Sequence, residues 1–341
     1  MQVLVTGGFG FVGSKAVSAL ASRGYKVRVF DLPNHPLRRR FEEHWHTLGE
    51  VEIVEGDIAR YRDVQGAVAG CRWVLHTAAL LNSIAPYSQF HRVNALGTEN
   101  ICKVSLDADI KRLVIVSTSD VFGIPRLGEV LNEDSELTPW HEPYADTKIE
   151  AVKAARRYRD KGLPVTLIYP GWVYGPGDRQ FFPAVINMIN DKHVFTWERR
   201  NPYEINLTYI DDLVDALIRC LTTHVNRNGE YLILDTDTFM TPARLFRAMA
   251  DHLELPVKVH HIPYPLMMLI AFCSQWLARL GIIAKPLLST TDVKAFGNEF
   301  HFSNAHALAE LQWKPTTTIE DGLRKSMEWQ KKRRENPDLI G

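Results

Sequence analysis

The sequence predicts an α/β fold, a doubly wound parallel sheet followed by a smaller, mostly helical unit. Three observations carry that expectation. Short β-branched and apolar runs alternate with segments of helical spacing through the first half of the chain. Runs such as Leu113-Val114-Ile115-Val116 are apolar at every position, as in strands covered on both faces. A glycine-rich turn joins the first strand to the first helix. Strands joined by helices require right-handed crossovers, and therefore a parallel sheet.

The elements follow in order. Val3-Leu4-Val5 is the first strand, and Val12, Ala16 and Leu20 recur at helical spacing up to Gly24. Further strands are expected at Tyr25–Phe30, Val51–Val54, Trp73–His76, Leu113–Val116 and, after Pro164, Val165–Ile168. The clearest helices are Gln89–Leu106 and Pro143–Arg159. Gly171, Gly175, Pro176 and Gly177 mark a loop, followed by a helix over Phe181–Ile189. Leu207–Ile210 and Tyr231–Leu234 read as strands around a helix at Asp211–Cys220. From Thr241 the chain reads as mostly helical, punctuated by Pro242, Pro263, Pro265 and Pro286. The resulting division is a nucleotide-binding domain over 1–170, to which 206–235 returns, and a substrate domain of 171–205 with 236–330.

Composition narrows the function classes. The chain has 341 residues, 45% apolar and 23% charged, with 40 Lys+Arg against 40 Asp+Glu. That balance excludes a disordered chain and gives no basic footprint for nucleic acid. Cys71, Cys102, Cys220 and Cys273 are scattered, and His76, His91, His141 and His193 show no ligand spacing, so neither a disulfide framework nor a metal site is expected. The opening MQVLVTGG reads as a strand rather than a signal peptide, and a cytoplasmic location is expected. The stretch from Tyr264 to Ala284 raises a membrane question. Its clean apolar run, Leu266–Cys273, is too short to span a bilayer, which leaves a surface contact or a buried helix.

The first turn reads Thr6-Gly7-Gly8-Phe9-Gly10-Phe11-Val12-Gly13. Gly8, Gly10 and Gly13 fit G-x-G-x-x-G, and Gly7, Gly10 and Gly13 fit G-x-x-G-x-x-G. Glycines there allow a tight turn, close approach of a pyrophosphate, and close helix–strand packing. The helix start at Phe11, Val12 and Gly13 then offers free N–H groups and the positive end of its dipole. Asp31 ends the second strand, where a carboxylate accepts ribose hydroxyls and repels a 2′-phosphate. NAD is therefore expected in preference to NADP, although Arg28 and the run Arg38-Arg39-Arg40 lie nearby. Asp57, beside Ile58, is placed either to meet an adenine ring or to cap a helix.

Tyr144 and Lys148 stand at i and i+4 on an expected helix and share a face. A lysine ammonium one turn from a phenol favours the phenolate, which takes a proton from an alcohol as hydride leaves. A hydroxyl from Ser117-Thr118-Ser119, at the end of the fifth strand, completes a Ser/Thr-Tyr-Lys set.

Together these residues resemble the extended short-chain dehydrogenase/reductase family. The resemblance rests on the glycine turn, Asp31, Gly56-Asp57-Ile58, His76-Thr77-Ala78-Ala79, Asn94 with Gly97-Thr98, STSDVFG (117–123), YADTK (144–148) and YPGWVYGPGD (169–178). It implies a Rossmann domain, NAD(P), and a homodimer formed through the helices near 89–106 and 143–159. By position it makes Tyr144 the acid–base, Lys148 the ribose-binding lysine, and Thr118, with Ser119 in reach, the oxygen holder. Ala78 and Ala79 would line the cofactor, Asn94 would brace the site, and Pro170, Gly171, Trp172 and Val173 would pass along the nicotinamide.

Within the family the chain is most similar to the 3β-hydroxysteroid and sterol-4-carboxylate dehydrogenase branch, at GPGDRQFFP (175–183), NLTYIDDLVDA (206–216) and the Leu311–Pro315 segment. Trp172 and Ile205 stand where sugar-nucleotide enzymes of the family carry diphosphate-binding Asn and Arg. Trp172, Phe181, Phe182, Trp197, Met267, Met268, Phe272 and Trp276 could wall an apolar pocket. His141 and Arg179 are candidates to touch substrate. The expectation is an NAD-dependent oxidoreductase acting on a secondary alcohol or ketone of a largely apolar small molecule. The alternatives are an NDP-sugar 4-epimerase or dehydratase and a non-catalytic NAD(P)-sensing protein.

Overall fold

The computed structural model describes residues 2–81, 85–126, 128–190, 192–197, 205–223, 228–235, 240–283, 286, 288–298 and 300–341. Ala284, the end of the apolar stretch considered above, lies outside them. The first half alternates as expected: β1 (Gln2–Thr6), α1 (Phe11–Ser22), β2 (Lys26–Asp31), α2 (Arg38–His46), β3 (Val51–Glu55), α3 (Tyr61–Val68), β4 (Trp73–His76), α4 (Tyr87–Phe90), α5 (Gly97–Asp107), β5 (Arg112–Val116), α6 (Pro143–Asp160) and β6 (Val165–Pro170). The second half is less regular: β7 (Trp172–Tyr174), α7 (Phe181–Asn190), β8 (His193–Thr196), β9 (Leu207–Tyr209), α8 (Ile210–Thr222), β10 (Glu230–Ile233), α9 (Pro242–His252), β11 (Lys258–His261), α10 (Tyr264–Arg279), α11 (Thr290–Gly297), α12 (Ala305–Leu311) and α13 (Ile319–Glu335).

Seven parallel strands form one sheet in the order β3-β2-β1-β4-β5-β6-β10. The apolar runs are continuous because successive side chains feed two cores. Val3 and Val5 enter a cluster with α1 and α8, while Leu4 enters one with α3, α5 and α6. Val114 and its neighbours Leu113 and Ile115 divide the same way. Chain order reverses between β1 and β4, which opens a crevice at the carboxyl ends of those two strands.

Three local features refine the sequence expectation. The helix read from Gln89 to Leu106 is interrupted: His91–Leu96 widen into a π-helical turn between α4 and α5. The part after Thr241 is not purely helical, because β11 pairs with β8 in a small parallel ladder. Leu207–Tyr209 does form a strand, but it pairs with β7 in a two-stranded ladder outside the main sheet. Among the described residues, no helix is long and apolar enough to cross a membrane.

Candidate active site

The crevice at the sheet's carboxyl edge is lined first by the β1–α1 turn. Gly7 has φ +68°, and a Cβ there would lie 2.7 Å from the Ala78 backbone. A Cβ on Gly13 would lie 2.1 Å from the Gly7 carbonyl. At Gly10 the nearest atom to such a Cβ is the Gly7 oxygen at 3.1 Å, so its outer side is open. No side chain caps the α1 N-terminus at Gly10. The result is a cradle of backbone N–H groups at Phe11, Val12 and Gly13 with room for a diphosphate. The residues therefore fit the phosphates of a dinucleotide.

Asp31 stands at the end of β2. Its carboxylate accepts the Phe9 and Leu32 N–H groups at 2.9 and 2.8 Å, which fixes it at the rim of the cradle. Burial raises its pKa, while those two N–H groups and the nearby His35 oppose the rise. The neighbouring cations are engaged elsewhere. Arg28 bonds Glu52 and the carbonyls of Ala67 and Ala69; Arg38 bonds Glu42 and Glu55; Arg39 bonds Glu43, with Arg40 4.0 Å from the same carboxylate. With each of these guanidiniums paired, the local charge favours NAD over a 2′-phosphorylated dinucleotide. Asp57 accepts the Ala59 N–H at 2.9 Å and is ion-paired with Arg92. Ile58 is buried beside Gly97 of α5.

The loop after β4 forms the opposite wall. Ala78 donates its N–H to Thr6 Oγ1 at 3.3 Å, and Ala79 follows it. Asn94, inside the π-turn, accepts the Leu80 N–H at 2.7 Å and donates to Leu80 O and Thr147 Oγ1 at 3.3 and 3.2 Å. It thus ties the β4 loop to α6, and π-turns recur at functional sites for this kind of re-aiming. His76 is buried between Thr6 Oγ1 (2.7 Å) and Thr98 Oγ1 (3.1 Å). Burial and the Lys148 charge push its pKa down to about 3, so it is a neutral bridge. At the far wall Pro170 ends β6, Gly171 donates to Thr208 Oγ1 at 3.0 Å, and β7 carries Trp172 and Val173 alongside β9.

The structure brings Thr118, Ser119, Tyr144 and Lys148 to the end of β5. Thr118 caps the 3₁₀ turn Ser119–Phe122, its Oγ1 accepting the Asp120 N–H at 3.3 Å, and it stands beside the Tyr144 phenol and the Asp120 carboxyl. Lys148 is buried, with Nζ donating to Val116 O at 2.8 Å, and burial brings its pKa down to about 8. The spacing of Tyr144 and Lys148 led to the expectation of a favoured phenolate. The structure instead holds the phenol protonated: burial raises its pKa and the Asp120 charge adds to that, while only Thr118 opposes. Asp120 is itself pushed up to about 6 by burial.

A recess next to this cluster is lined by Ser119, Asp120, Trp140, Trp172, Ile205, Asn206, Ala295, Phe300 and Phe302. Trp140 stacks on Phe300 at 5.8 Å and donates its indole N–H to Asp120 O. Trp172 packs on Phe296 at 4.4 Å and edge-on to Phe181 at 5.5 Å, and Trp197 continues the wall behind Phe296. The other aromatic candidates are placed elsewhere. Phe182 is buried in the core against Tyr174, while Phe272 and Trp276 are exposed on the outer face of α10. His141 is exposed, and it is its neighbour Trp140 that lines the recess. Arg179 is held by the carbonyls of Pro337 and Leu339 and lies over the Trp329 ring.

The sequence reading missed Asp120, Trp140, Asn206, Phe300 and Phe302. Asp120 and Asn206 stood inside the segments STSDVFG and NLTYIDDLVDA, and Phe302 opens the segment Phe302-Ser303-Asn304, while Trp140 and Phe300 belong to no local pattern. Among the described residues, no His/Cys/Asp/Glu group suited to a metal occurs.

The chain is 27% identical over 329 residues, 95% of either chain, to 4-hydroxy-2-methyl-3-oxo-4-farnesyl-3,4-dihydroquinoline-1-oxide ketoreductase of Stigmatella aurantiaca. It is 28% identical to the 3-beta-hydroxysteroid dehydrogenase of Mycolicibacterium neoaurum, over 94% of this chain and 89% of that one. In fold it is similar to UDP-glucuronic acid 4-epimerase from Bacillus cereus, with a TM-score of 0.78 at 19% identity over 97% and 99% of the two chains. Residues 3–233, which hold the glycine cradle, Asp31, the Thr118-Tyr144-Lys148 set and the β7 wall, match one family throughout, and the chain belongs to it: the NAD dependent epimerase/dehydratase family of NAD-dependent enzymes.

Proposed function

We propose that this oxidoreductase transfers a hydride between NAD and a secondary alcohol or ketone on a largely apolar substrate, with Tyr144 as acid–base. One observation carries the reading: Thr118 and Tyr144 adjoin a recess walled by four aromatic rings, with neither Lys nor Arg among its described lining residues. A sugar diphosphate needs cationic partners, and the described wall contributes aromatic rings instead. Relatives named for a farnesylated quinoline oxide and a hydroxysteroid support the same substrate character.

Gly7, Gly10, Phe11, Val12 and Gly13 would hold the pyrophosphate, and Asp31 the adenosine ribose. Ile58, Ala78, Ala79 and Asn94 would shape the wall of the groove, with Pro170, Gly171 and Val173 opposite. Bound there, the nicotinamide supplies the hydride acceptor or donor. Thr118, with Ser119 beside it, orients the substrate oxygen by a hydrogen bond. For reduction, the protonated Tyr144 phenol donates its proton to the carbonyl oxygen. For oxidation, the phenolate takes the hydroxyl proton as the carbon–hydrogen bond breaks. Lys148 leaves Val116 O for the nicotinamide ribose and keeps a positive charge one helical turn from the phenol. Residues 171–205 and 236–330 would form the substrate-binding unit, and the helices at 89–106 and 143–159 a homodimer contact, which sedimentation velocity measures.

The test is absorbance at 340 nm with NAD or NADH against hydroxysteroids, apolar secondary alcohols and ketones, and UDP-sugars. Sustained turnover of an apolar substrate, lost in Tyr144→Phe, is the expected result. Interconversion of a sugar nucleotide without net NADH would replace this reading with the epimerase one. NAD binding without turnover of any substrate would favour a sensor.

A further inference from the structure

From the outer face of α10 we infer a docking surface for anionic lipid, laid in the plane of a bilayer rather than across it. On this helix Pro265, Leu266, Leu269, Phe272, Cys273, Trp276 and Leu277 are exposed, continued by Leu280 just beyond it. At 100° per residue these positions fall on one arc of the helix, which carries no polar side chain. Leu269, Phe272 and Trp276 are 58, 54 and 48% exposed, and Leu280 and Ile282 are 66 and 65%. A run of large apolar groups this exposed is uncommon on a soluble surface and marks an interaction site.

The opposite face is already packed. Met267 and Ala271 are buried with Trp197 and Val293, and Met268 and Ile270 pack against that cluster. A helix of about 24 Å that is committed on one side cannot turn its whole circumference to lipid. It can bury one face at the boundary of headgroups and acyl chains, with aromatic rings at that depth.

Charge selects the occupant. From Leu255 to Thr291 the sequence contains Lys258, Arg279 and Lys285 and no Asp or Glu, in a chain with as many acids as bases overall. A sequence segment that contains the apolar stripe and carries basic residues but no acids is complementary in sign to an anionic bilayer surface. A second copy of this chain would bring the same positive charge against itself. The stripe also adjoins the recess through one layer of rings. Trp197, packed under α10, meets Phe296, and Phe296 meets Trp172 of the recess wall. The surface stands whether or not the substrate is the apolar alcohol proposed above.

The test is flotation of the full chain with phosphatidylcholine vesicles, with and without phosphatidylglycerol, beside light scattering of the protein alone. Leu269→Glu/Phe272→Glu is the comparison, since both side chains are already in solvent and the fold does not depend on them; its thermal midpoint is measured alongside. The expected result is flotation with the anionic vesicles, weakened by salt and reduced at least tenfold in the double variant. An environment-sensitive fluorophore on Cys273, in a Cys71→Ser background, should shift its emission to the blue on the same vesicles. Equal flotation on neutral vesicles overturns the anionic requirement. No flotation, with a wild-type dimer that the double variant converts to monomer, overturns the proposal and assigns the face to a second copy.

Discussion

Tyr144 shows what residue-scale reading gives and where it stops. Its spacing from Lys148 and its distance from the glycine turn were enough to single it out. Its ionisation was not legible, because that depends on burial and on the charge of Asp120, which is brought near the phenol only once the 3₁₀ turn after β5 has formed. Two predictions follow from the chemistry. Tyr144→Phe should lower kcat by on the order of 10² or more, as loss of a positioned acid–base does, with the NAD dissociation constant unchanged. Stopped-flow turnover and fluorescence titration measure the two separately. Asp120→Asn removes a charge that raises the Tyr144 pKa. The alkaline limb of the pH profile of kcat/KM should therefore move to lower pH, and a limb that stays in place would show that Tyr144 does not titrate in the reaction.

The strands of the main sheet were legible as elements because each feeds two cores and stays apolar along its length. Short elements formed by distant pairing were not. Lys258–His261 carries two histidines and a lysine and becomes a strand only by lying beside His193–Thr196. The π-turn at His91–Leu96 was equally hidden, since one extra residue per turn hardly alters an apolar periodicity. Its consequence is testable through Asn94, whose amide ties the β4 loop to α6. Asn94→Ala leaves the part-buried Leu80 backbone and the buried Thr147 hydroxyl without that partner, and about 1–3 kcal/mol of stability should be lost. Chemical denaturation reads that loss, and NAD affinity should fall with it because the loop carries Ala78 and Ala79. The β1–α1 turn gives a sharper case. In Gly13→Ala the new methyl would meet the Gly7 carbonyl backbone rather than a flexible side chain. NAD affinity should fall by on the order of tenfold or more even where the protein still folds, and calorimetric titration measures it.

At the scale of the whole molecule, the sheet and the later elements are joined at one buried polar junction. The Asp212 carboxylate accepts the N–H groups of Thr316 and Thr317 and the Thr316 hydroxyl, and the Trp313 indole donates to Asp212 O. These bonds fasten the segment before α13 to the start of α8. Asp235, just after β10, is buried beside Tyr174, and among the described residues the side-chain oxygens of neither form a well-aligned hydrogen bond. Burial first, and the Asp212 charge second, push Asp235 up to about 7. An aspartate raised this way binds its proton more tightly in the folded state than in the unfolded one. Its contribution to stability is complete below about pH 4, where both states are protonated, and is lost as pH rises through 7, where a buried carboxylate must ionise. The loss is on the order of a few kcal/mol across that window. Asp235→Asn keeps the shape without the titration. The fall in thermal midpoint between pH 5 and pH 8 should therefore be smaller in Asp235→Asn than in the wild type. Other buried carboxyls, Asp31 and Asp178 among them, leave a residual slope of the same sign. Parallel curves for the two proteins would mean that Asp235 is already ionised in the fold at pH 5. The junction would then be held by a charge rather than by a proton.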